Sequence, residues 1–90
     1  MQLQFSVAMQ RFIKKLNISG NTLSFYFNSI STHDEVRYYV SVADSQGKTW
    51  LFYMKNKEGR WVLTNPVNCP EWIIALEREL STIITEKTSV

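Results

Sequence analysis

Ninety residues with 44% hydrophobic and 13% aromatic content, and only three Gly and two Pro, describe one folded domain spanning 1–90 rather than a disordered chain. The formal net charge of +2 is too small by itself to imply a polyanionic partner, and a single Cys excludes an internal disulfide. One His and one Cys cannot supply the usual nitrogen and sulfur ligand cluster, so neither a metal nor a cofactor is expected.

Along residues 1–16 two periodicities compete. Leu3, Phe5 and Val7 alternate as a strand does, whereas Phe5, Met9, Phe12, Ile13 and Leu16 follow helical spacing. The helical set is longer and lies among good helix formers, so the spacing predicts a helix over about Phe5–Leu16. Its polar side is basic, which suits a helix covering a sheet. Asn17 to Asn21, with Gly20, would end it and turn the chain. The first sixteen residues carry neither a leader-like charged segment before a long apolar run nor, with the rest of the chain, the ~18 apolar residues of a membrane span. The expectation is a cytoplasmic protein.

Thr22 to Ile30 alternates as a strand, with Leu23, Phe25 and Phe27 on one side and Ser24, Tyr26 and Asn28 on the other. A polar connection follows, and then two hairpins whose register is legible. A three-residue loop at Ser45-Gln46-Gly47 sets Asp44 opposite Lys48, and hence Val42 opposite Trp50, Val40 opposite Phe52 and Tyr38 opposite Met54. A two-residue turn at Glu58-Gly59 extends that apolar face through Asn56/Trp61 and Met54/Leu63. The other face must then oppose Tyr39 to Tyr53, Arg37 to Lys55 and Lys57 to Arg60. Two like-charged cross-strand pairs are mildly unfavourable in water.

After a loop from Thr64 to Cys69 a long helix is expected, with Asn68 or Cys69 as cap, Pro70 in the first turn and Glu71 favourable to the helix dipole. Trp72, Ile73, Leu76, Leu80, Ile83 and Ile84 form a stripe that must be buried. Ile74 points away from it. Glu71, Glu77 and Glu79 read as its solvated side.

The fold expected is therefore α+β, a two-layer sandwich of a four-stranded antiparallel meander with an N-terminal helix and a long C-terminal helix packed on it. In element order, residues 22 to 87 resemble the Whirly fold, which binds single-stranded DNA as helix-packed dimers.

No catalytic signature emerges. His33 stands in a polar turn without a paired nucleophile, and Cys69, although before a helix, has no base beside it in sequence. The expectation is a non-enzymatic interaction domain that recognises protein and forms a homodimer, with Ile74 at the interface. The alternative is a single-stranded nucleic-acid-binding domain that uses Arg37, Tyr39, Tyr53, Lys55, Lys57 and Arg60. Rings that stack on bases, interleaved with cations that meet phosphates, are what such binding requires.

Overall fold

The computed structural model describes residues 10–31, 35–64 and 69–88. Five strands, β1 (Arg11–Ile18), β2 (Asn21–Ser31), β3 (Val36–Ala43), β4 (Thr49–Lys57) and β5 (Arg60–Thr64), form one antiparallel meander in chain order. Two helices follow, the single turn α1 (Glu71–Ile74) and α2 (Glu77–Thr88). The sheet-and-helix class is that expected from the sequence, but the sheet has one more strand.

The extra strand replaces the N-terminal helix. Residues 11–16 lie in β1, Gln10 immediately precedes it, and the rest of the expected helix, at 5–9, lies outside the described residues. The cause is a degenerate pattern. Phe12 and Leu16, four apart, share a face in a helix and also in a strand. The decisive signal is the turn at Ser19-Gly20, where φ is 53° and 87°. Both central residues of a two-residue I′ hairpin need positive φ, so the segment read as a helix end is a hairpin that pairs Ile18 with Asn21 and Phe12 with Phe27. Without β1, the outer N–H and C=O groups of β2 would lack partners.

Elsewhere the register agrees with the sequence. Val42 faces Trp50, Val40 faces Phe52, Tyr38 faces Met54, Met54 faces Leu63 and Asn56 faces Trp61. Glu58 and Gly59 have φ of 54° and 88°, the I′ geometry again. At the three-residue loop the Asp44 N–H donates to the Lys48 carbonyl (2.8 Å) and the Gly47 N–H to the Asp44 carbonyl (3.0 Å).

The inner face and the helices build the core. Phe25, Phe27, Tyr38, Val40, Val42, Phe52, Met54, Trp61 and Leu63 are buried against Ile73, Leu80, Ile83 and Ile84. Trp50, Trp72 and Leu76, expected fully inside, are partly buried at its margin. An aromatic chain crosses this face: Phe12 stacks on Phe27 at 4.6 Å, Phe12 meets Tyr38 edge-on at 6.2 Å, and Tyr38 meets Trp61 edge-on at 5.0 Å. These contacts link β1, β3 and β5. Lys87 of α2 also reaches the Phe12 ring (5.3 Å).

The helical segment departs from expectation in three respects. Pro70 is the N-cap of α1 and makes no side-chain capping bond, while Asn68 lies outside the described residues. The single helix is broken at Ala75-Leu76, where the Leu76 N–H takes the tighter bond to the Ile73 carbonyl (2.9 Å). Glu77, read as solvated, is structural: its carboxylate accepts the Leu63 N–H (2.7 Å), and the Ser81 hydroxyl accepts the Trp61 N–H (2.9 Å).

Candidate nucleic-acid interface

The strand pairings that place the core on one face fix the composition of the other. Read across the sheet, one row is Ile30, Arg37, Lys55 and Val62, and the next is Arg11, Asn28, Tyr39, Tyr53 and Thr64. A third row is Ile13, Tyr26, Ser41 and Leu51, beyond which Lys15 faces Ser24 and Ala43 faces Thr49. Lys57 and Arg60 face each other at the end of the β4–β5 hairpin. Among these strand positions six side chains are basic and none is acidic. Three tyrosines lie between them.

The helices do not cover this face. Leu51 is 73% exposed, Ile13 57% and Tyr26 52%, and Ile30 is exposed as well.

Of the residues expected at the site, the structure brings four into one cluster. Tyr39 and Tyr53 stack at 5.3 Å with their rings 27° apart. The Arg37 guanidinium lies 5.0 Å from the Tyr53 ring centroid, within cation–π range. Lys55 joins them through Glu35, just before β3. The Arg37 Nε–H donates to Glu35 Oε2 at 2.5 Å, and Lys55 Nζ lies 3.7 Å from Glu35 Oε1. The opposition of Arg37 and Lys55, which in sequence looks unrelieved, is therefore bridged by a carboxylate. The hydrogen bond from Arg37, with both cations adding, holds the Glu35 carboxyl below its ordinary range. Bonds to Glu35 and Tyr39 hold the guanidinium firmly protonated. Lys57 and Arg60, both exposed, stand apart from this cluster at the hairpin end.

Sequence reasoning missed Arg11, Ile13 and Lys15. A helical reading of their segment removes them from the sheet, and the Ser19-Gly20 turn was the signal that could have restored them. Tyr26, noted in sequence for its alternation, takes its place in the third row.

The remaining candidates separate from this surface. Ile74, the expected dimer contact, is exposed on α1, against the inner face. His33 lies outside the described residues. Cys69 packs against the core, and burial pushes its thiol pKa up, opposite to the shift a reactive thiolate needs. Among the described residues no three or more His, Cys, Asp or Glu side chains gather where a metal could be held, and no helix is long and apolar enough to cross a membrane.

Among known proteins the chain matches no family model, no curated protein and no solved structure.

Proposed function

We propose that this chain is a non-enzymatic binding domain whose working surface is the open face of its sheet, and that the partner is single-stranded nucleic acid. The observation that carries the reading is the composition of that face. Arg11, Lys15, Arg37, Lys55, Lys57 and Arg60 are there without an acidic strand neighbour, and Tyr26, Tyr39 and Tyr53 lie between them. Cations attract the phosphate backbone, and the rings offer bases a stacking surface of any sequence. Four of the chain's acidic residues lie in the helices, and Glu35, just before β3, is an acid that meets the face, between Arg37 and Lys55. The domain is thus polarised far beyond what its net charge of +2 conveys.

Titration of a labelled single-stranded oligothymidylate, followed by anisotropy at low and moderate salt, tests this. Expected is saturable binding that weakens as salt rises. Unchanged anisotropy, with unchanged tyrosine and tryptophan fluorescence at low salt, would reject it.

A second reading, self-association, draws support from the exposed apolar side chains Ile13, Leu51 and Ile74, because such patches mark interfaces. Packing two outer faces together would oppose the cations of one copy to those of the other. Ile74, away from that face, escapes this penalty and remains the residue on which a homodimer would depend.

A further inference from the structure

We infer that Arg37 and Lys55 form a phosphodiester subsite that the chain fills with its own Glu35 carboxylate, so that a bound strand must displace Glu35. This deepens the proposed function and rests on it. The two oxygens of Glu35 are divided between two cations, Oε2 to Arg37 Nε and Oε1 towards Lys55 Nζ. A carboxylate and a phosphodiester are alike in this respect, each being a single negative charge shared over two terminal oxygens. The cation pair already holds a group of that valence, and the stacked Tyr39 and Tyr53 rings lie beside it.

Displacement is feasible because the site is open. The Arg37, Lys55 and Glu35 side chains are 31%, 41% and 30% exposed. Ion pairs at that level of exposure are weak and yield to a competing anion. Glu35 precedes β3 and takes no part in the sheet ladder, so its side chain can leave without breaking strand pairing. Its presence selects for ligands that deliver several phosphates together. A lone anion gains little by replacing one carboxylate with another charge of equal size, whereas a polymer is held at its other phosphates by Lys57, Arg60, Arg11 and Lys15.

Glu35→Gln tests this, since it keeps the shape and removes the charge. Wild type and variant are titrated with the same labelled oligothymidylate over a range of salt, with the indole N–H resonances confirming a native fold. Expected is tighter binding by the variant, by up to about fivefold at low salt, the equivalent of one exposed ion pair. Its plot of log affinity against log salt should keep the wild-type slope, because the same phosphates are neutralised in both proteins. Equal affinity, with both proteins binding, would overturn the inference and leave the binding face standing. Weaker binding by the variant would also overturn it, showing that Glu35 positions Arg37 rather than competing with the ligand. No binding by either protein would reject the binding face itself, and the subsite with it.

Discussion

Asp44 shows how much one side chain organises. Its Oδ1 accepts the Gln46 and Lys48 N–H groups (both 2.9 Å), and its Oδ2 accepts the Trp50 indole N–H (3.1 Å). The indole bond, followed by those from the loop backbone, holds its carboxyl below the ordinary value. A depressed carboxyl contributes stability that is present above the unfolded-state pKa and is lost as pH falls through the lower folded value. Thermal melts from neutral to strongly acidic pH should therefore show wild type losing its advantage over Asp44→Asn as the pH falls through that window. A gap that stays constant would mean the charge is irrelevant to the loop. In the core, Phe52→Ala should cost about 3–5 kcal/mol by urea denaturation. Phe52 is buried on the inner face opposite Val40, at the centre of the core cluster.

The edges of the sheet are treated differently. The free edge of β5 presents the N–H groups of Trp61 and Leu63, and α2 meets them with Ser81 and Glu77 in place of a sixth strand. Open edges invite pairing with other chains. Glu77→Ala should destabilise the domain by about 1–2 kcal/mol, the cost of leaving a partly buried donor without its acceptor. It should also raise aggregation on mild heating, which turbidity would report. At the other edge, Lys14 and Lys15 in β1 supply the charge that discourages such pairing. The assignment of β1 as a strand has a functional consequence as well. If its outer residues belong to the binding face, Arg11→Ala and Lys15→Ala should each flatten the salt dependence of oligonucleotide binding by about 0.7. Arg78→Ala, on the helical side, should leave the slope unchanged.

For the whole molecule, the two readings of the open face respond to salt with opposite sign. Nucleic-acid binding weakens as salt rises, because neutralised phosphates release counterions. Association of two basic faces strengthens as salt rises, because the repulsion between them is screened. Light scattering at micromolar concentration, at low and high salt, separates the two. A mass that rises with concentration and salt, and is reduced by Leu51→Lys, would identify the open face as a self-association surface. A dimer lost in Ile74→Lys alone would place the contact on α1. Within the nucleic-acid reading, Tyr39→Ala should weaken binding by about 1–3 kcal/mol while keeping the slope, since a stacked ring carries no charge.

What the sequence by itself determined is the part governed by local rules. The period-two alternation of β3, β4 and β5, with two turns of recognisable length, left one register that kept Val40, Phe52, Met54 and Leu63 on a single face. That register also placed Tyr39 opposite Tyr53 and Arg37 opposite Lys55, so the centre of the candidate site was legible before any coordinates. The tertiary structure alone decided the rest, where local preference was degenerate or the partner was distant in sequence. Phe12 and Leu16 satisfy helix and strand equally, and the Ser19-Gly20 turn, together with the demand of β2 for a hydrogen-bonded neighbour, resolves them into β1. Glu77 reads as solvated on a helix until β5 is brought alongside with an unpaired N–H. Glu35 stands two residues from Arg37 but twenty from Lys55, and its role as a bridge exists only because antiparallel pairing sets those two cations side by side.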